Sequence, residues 1–175
     1  MKIVLDTNVL VSGLLSPFGP PGEIVRMVSA GSVRLCVDAR LLSEYGDVLN
    51  RPRFRFDPDA VAALIDFIDA NSDTAAASPL SIRLPDADDE AFLEVALACS
   101  ADRLVTGNIV HFPERARLGV SVVTPAELIE IYRSYSDQGD VTVDYLEERA
   151  ARGDRAKFEH VMRKVSDAEP DEGDE

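Results

Sequence analysis

The chain of 175 residues predicts an α/β fold in which a parallel β-sheet is covered by helices on both faces. Two observations predict it. Short apolar runs rich in β-branched residues alternate with stretches of helical periodicity. Those runs are also apolar on both of their faces, as strands buried from both sides are.

In chain order, KIVL at 2–5 is the first strand and ends on Asp6, Thr7 and Asn8, from which an amphipathic helix runs over about 7–15. Pro17, Gly19, Pro20, Pro21 and Gly22 make a loop, and a second helix covers about 21–30. VRLCV at 33–37 is the next strand. The helix over 39–50 carries the apolar stripe Leu41, Leu42, Tyr45, Val48 and Leu49, a helical spacing. A loop over 50–57, a helix over about 58–70 and a loop over 78–88 follow. A helix over 89–100 is built on Phe92, Leu93, Ala96 and Cys99, and RLVT at 103–106 and VSVV at 120–123 are strands. A last helix spans about 125–135 and closes a domain of residues 1–135.

Residues 136–175 differ in composition. SDQGD reads as a linker, two short helical pieces cover about 141–151 and 154–165, and an acidic tail expected to be disordered follows. This extension is too short and polar for a second core.

Apolar residues make up 46% and charged residues 29%, an ordinary globular composition. No run is long enough for a membrane span, and no signal peptide precedes the first strand, so a cytoplasmic protein is expected. Cys36 and Cys99 lie in apolar stretches and read as free thiols of a reducing compartment. The net charge is −14, and six acids in the last ten residues leave −8 on the rest. A chain so acidic repels a phosphate backbone unless local bases or bound cations offset it.

The acids are not placed alike. In an open parallel sheet, ligands gather at the carboxyl ends of strands. Asp6 ends one such strand and Asn108 follows another, so the two face each other if the strands are neighbours. At about 100° per residue, Glu44 falls on the shoulder of the 39–50 stripe and Asp47 nearly opposite it. On the 89–100 helix, Asp89 lies near the centre of the buried face, Asp88 lies on its edge, and Glu90 and Glu94 point away. An inward aspartate is costly unless paired or bound to a cation. Asp38, Asp86 and Asp88 precede helices and read as caps. Asp6 reads equally as a cap or as a site residue. Carboxylates with room for water suit Mg²⁺ or Mn²⁺. His111 and His160 stand alone in the sequence and read as structural, so zinc is not expected.

These stretches resemble the PIN-domain ribonucleases, specifically the toxins of VapBC-type toxin–antitoxin systems. "VLDTNVLVSGLLSP" is similar to the family's opening strand and first acid, Asp6. "LLSEYGDVLNRPRF" resembles its second-acid helix, with Glu44. "DADDEAFLEVALACSADRLVTGNIVHF" resembles the third-acid helix and the following strand, with Asp89 in the acidic place and Asn108 where many members have a fourth acid. The resemblance covers about residues 1–135. It implies a three-layer α/β/α sandwich, a homodimer, RNA as substrate and a cognate antitoxin as partner. It also implies one or two Mg²⁺ or Mn²⁺ ions held by Asp6, Glu44 and Asp89, hydrolysing a phosphodiester bond with metal-activated water. Asn108 adds no charge, so a second metal would be held more weakly.

Thr7, Asn8, Asp88 and Thr106 are expected to support the site. Arg51, Arg53 and Arg55, interleaved with phenylalanines, offer contacts to single-stranded RNA. The same stretch reads equally as a loop with core phenylalanines and solvated arginines. The competing function is a non-catalytic module that binds RNA or a partner and keeps its acids for a structural metal. A phosphate-accepting receiver or a haloacid-type phosphatase fits less well: no lysine follows a late strand, and the early acids lack the tight spacing.

Overall fold

The computed structural model describes residues 1–137, which form a three-layer α/β/α sandwich. The elements are β1 (Lys2–Leu5), α1 (Thr7–Leu15), α2 (Pro20–Ser29), β2 (Arg34–Val37), α3 (Ala39–Leu49), α4 (Pro58–Asn71), β3 (Asp73–Thr74), α5 (Glu90–Ala98), β4 (Arg103–Val105), β5 (Val122–Val123) and α6 (Pro125–Asp137). Short 3-10 turns at Pro52–Phe54, Ile109–His111 and Glu114–Ala116 punctuate the loops. The two helical pieces expected over 141–151 and 154–165, and the tail, lie outside the described residues. So does any domain boundary beyond α6, which runs two residues past its expected end.

All strand pairs are parallel, in the order β3-β2-β1-β4-β5. Order reverses between β1 and β4, where Leu5 pairs with Val105. Residues after these two strands therefore share the crevice in which α/β sheets bind ligands. The β1-to-β2 and β3-to-β4 connections run in opposite directions across the sheet, and the right-handed rule for such crossovers assigns their helices to opposite faces.

The strands are short because their polar ends turn away into the crevice. Ile3, Val4, Leu104 and Val105 are wholly buried, as expected for strands covered on both sides. β3 was not legible in the sequence. It is a two-residue edge strand, Asp73–Thr74, with no apolar pattern. It is held by ion pairs from Asp73 to Lys2 (2.8 Å) and Arg34 (2.9 Å). α1 and α2 pack closely because Gly13 has no side chain: a Cβ there would lie 2.7 Å from the carbonyl oxygen of Pro21.

Tyr45 anchors α3. Its ring is fully buried, and its hydroxyl donates to the carbonyl of Leu5 at the end of β1. That bond carries the preceding residue, Glu44, to the same strand end.

The expected outward direction of Glu90 and Glu94 is corrected. Both are buried, at 8% and 5% exposure. Periodicity assumed water outside α5, but the 75–89 segment folds back over it. Glu94 accepts from the Leu80 amide (2.9 Å) and from Arg40 (2.5 Å). Glu90 accepts from the Leu84 amide (3.1 Å) and from Arg83 (2.8 Å). These two acids hold the loop that delivers Asp86 and Asp88.

Candidate metal centre

Asp6 leaves β1 extended, with φ −64° and ψ 140°, and its carboxylate accepts the Asn8 amide at 3.1 Å. It is thus the cap of α1, and it is more. Its other oxygen accepts from Asn8 Nδ2 (2.9 Å) and from the buried Thr106 hydroxyl (2.6 Å). Thr106 Oγ1 in turn accepts the Asn108 amide at 3.0 Å, and Asn8 Oδ1 accepts the Gly107 amide at 3.2 Å. Gly107 matters there, because a Cβ would stand 3.1 Å from that same oxygen. The ends of β1 and β4 are stitched together around one carboxylate.

Glu44 comes from α3 and takes a hydrogen bond from the Thr7 hydroxyl at 2.6 Å. Asp89 stands at the cap position of α5 but caps nothing. Its Oδ2 meets His111 Nδ1 at 2.7 Å instead, with the side chain 14% exposed. Burial pushes the carboxyl groups of Asp6, Glu44 and Asp89 above their ordinary values. Hydrogen bonds from Thr106, Thr7 and His111 respectively pull them back. Asp6 also raises the other two by repulsion, so the three acids share one neighbourhood.

The other buried acids are neutralised. Asp38 and Glu94 pair with Arg40, and Glu90 pairs with Arg83. Among the described residues, Asp6 and Glu44 have no ion pair, and Asp89 has only His111. Glu44 Oε2 and Asp89 Oδ1 likewise have no protein partner among the described residues.

Three sequence readings change here. His111 is not isolated. One ring nitrogen of His111, with one oxygen each from Asp86 and Asp89, forms a group whose ligand atoms all lie within 4.8 Å of one another. The signal was the spacing Asn108–His111: a 3-10 turn over 109–111 brings residues three apart onto one face. The expectation against zinc rested on that isolation. Asp86, read as a cap, does accept the Asp88 amide (3.1 Å), yet it also joins this group. Asp88, expected to support the site, lies beside Glu44 and raises its pKa by repulsion. The Asn108 side chain, expected to face Asp6, instead places Nδ2 2.6 Å from His111 Nε2. Asp38 is the expected cap, accepting from the Arg40 and Leu41 amides.

A groove of about 640 Å³ along α3 is lined by Arg40, Ser43, Glu44, Asp47, Val48 and Arg51, with Asp88 beside them. Of the three expected RNA contacts, Arg51 alone lines it. Arg53 lies 4.6 Å above the ring of Phe54, and Phe54 stacks on Phe56 at 5.8 Å. Phe56 is buried, so those aromatic faces are already in use. Arg55 is exposed, in a left-handed conformation with φ 53°.

A comparison with protein families matches residues 2–110 to the family model described as PIN domain. No curated protein and no solved structure matches.

Proposed function

This chain belongs to the PIN domain family, and on that premise we propose that it is a divalent-metal-dependent endoribonuclease, the toxin of a toxin–antitoxin pair. One observation carries the nuclease reading. Asp6, Glu44 and Asp89 are partly or wholly desolvated, repel one another and lack a lysine or arginine, while the neighbouring buried acids each have one. A carboxylate set in that condition calls for a cation. All-oxygen donors with open positions suit Mg²⁺ or Mn²⁺, as one ion or two.

When bound, such an ion supplies an activated water and neutralises charge on the scissile phosphate. The chain's own residues set up the rest. Thr106 and Asn8 fix both oxygens of Asp6, Thr7 fixes one oxygen of Glu44, and His111 fixes one of Asp89. Glu44 Oε2 and Asp89 Oδ1, without a protein partner among the described residues, would be open to hold the ion together with Asp6. Positioned carboxylates of this kind need no reorganisation during the reaction. The groove beside Glu44 suits the backbone of a single strand, with Arg51 meeting a phosphate away from the scissile one. Because the chain is acidic overall, its affinity for RNA depends on the cation as much as on Arg51.

The toxin role, a cognate antitoxin, a homodimer and a cytoplasmic site of action belong to this same proposal. They are supported by the resemblance of the three acid-bearing motifs. No helix among the described residues is long and apolar enough to cross a membrane. The test of the enzyme reading is cleavage of single-stranded RNA with Mg²⁺, stopped by chelator and by Glu44→Gln. Cleavage that survives chelation would refute it.

A further inference from the structure

We propose that Asp86, Asp89 and His111 form a mixed nitrogen–oxygen site for a first-row transition cation of the Co²⁺ or Zn²⁺ class. It shares Asp89 with the oxygen-only acids Asp6 and Glu44. It rests on the reading of those acids as a cation site only through Asp89.

The donor set differs in kind from that of Asp6 and Glu44. An imidazole nitrogen favours late first-row ions, whereas Mg²⁺ prefers oxygen donors and water. The three donor atoms already lie within 4.8 Å of one another. Donors around a Zn²⁺-class ion at about 2.0–2.2 Å stand about 3–4.4 Å apart, so a small inward shift suffices. Asp86 is exposed on the loop before α5, where no packing among the described residues holds its second oxygen.

Two further features gain a cause. Asp89 occupies the cap position of α5 without capping its amides, so its direction is not explained by the helix. Asn108 holds the far edge of the imidazole, with Nδ2 2.6 Å from Nε2. Where the Asn108 amide donates to Nε2, the ring proton sits on Nδ1 and donates to Asp89. For Nδ1 to ligate, the ring proton must sit on Nε2, and Asn108 then turns its amide end for end to accept it through Oδ1. Asn108 can serve both states, which a hydrocarbon side chain could not. Partners on the far nitrogen are what orient ligating histidines. Asn108 is therefore a positioning residue for His111.

The experiment is a Co²⁺ titration of the purified, untagged full chain, read by visible absorption and by competition with Zn²⁺, with Mg²⁺ binding measured by calorimetry. His111→Ala should weaken Co²⁺ binding about tenfold or more, and Mg²⁺ binding by a clearly smaller factor, because there it removes only the bond that positions Asp89. Asp86→Asn, at an exposed loop acid, should also weaken Co²⁺ more than Mg²⁺ and decides the matter should His111→Ala fail to fold. Co²⁺ binding unchanged in both variants, or weakening equal for both metals, would overturn the site. Selective Co²⁺ binding in a protein that cleaves no RNA with Mg²⁺ would sink the nuclease reading and leave this site standing.

Discussion

The hydroxyl of Thr106 donates to Asp6 across the join of β4 and β1 at 2.6 Å, with both residues buried. That bond ties the strand carrying the first acid to the strand leading to Asn108. Thr106→Val keeps the shape and removes the donor. It should destabilise the fold by about 1–3 kcal/mol at neutral pH, read by urea unfolding. Because Thr106 holds the Asp6 pKa down against desolvation, its loss should also shift the acid limb of metal binding to higher pH. An unmoved limb would show that Asp6 does not ligate.

Asp6, Glu44 and Asp89 have folded-state pKa values raised above the ordinary 3.8, 4.5 and 3.8. The folded protein therefore binds more protons than the unfolded chain between the ordinary and raised values. Their contribution favours the fold at low pH and is lost as pH rises through that window. Thermal melts in chelator should show Asp89→Asn less destabilised than wild type by the rise, and Mg²⁺ should restore wild type at pH 7 but not near pH 4. Equal pH slopes in the two proteins would contradict a raised Asp89 pKa, which burial causes first and Asp6 repulsion adds to.

Arg51 and Arg53 look equivalent in sequence and are not equivalent in the fold. Arg51 lines the groove leading from Glu44, whereas Arg53 is spent on Phe54. Arg51→Ala should weaken RNA binding and lower the salt slope by about 1, as loss of one phosphate contact does. Arg53→Ala should change both less. The check is a salt series of RNA affinities, and the reverse ranking would remove the groove from the RNA path.

Asn108 stands where a fourth acid would bring charge, and its side chain meets His111. Asn108→Asp should lower the Mg²⁺ concentration for half-saturation by adding a negative charge at the β4 end. A metal titration yielding identical values would take position 108 out of the metal's reach.

Most of the architecture was legible because its signals are local. KIVL and RLVT carry the apolar character of buried strands, and the Tyr45 stripe of α3 fixes which way Glu44 turns. β3 was not legible, since two polar residues at an edge are held by ion pairs rather than by a pattern. Glu90 and Glu94 misled for a related reason: helical periodicity names the face toward the sheet but is blind to a loop folded over the other face. His111 was missed because its partner Asp89 is 22 residues away. The short spacing to Asn108 gains meaning only once a 3-10 turn is known to join them.

The central claim is that Asp6, Glu44 and Asp89 hold one catalytic cation. It is tested most directly by Mg²⁺-dependent cleavage of a single-stranded RNA by wild type and Asp89→Asn, alongside metal-free melting of both. The account predicts that Asp89→Asn folds, melts in chelator at or above the wild-type temperature, and loses cleavage at every Mg²⁺ concentration. An Asp89→Asn protein that turns over RNA at the wild-type rate would contradict it.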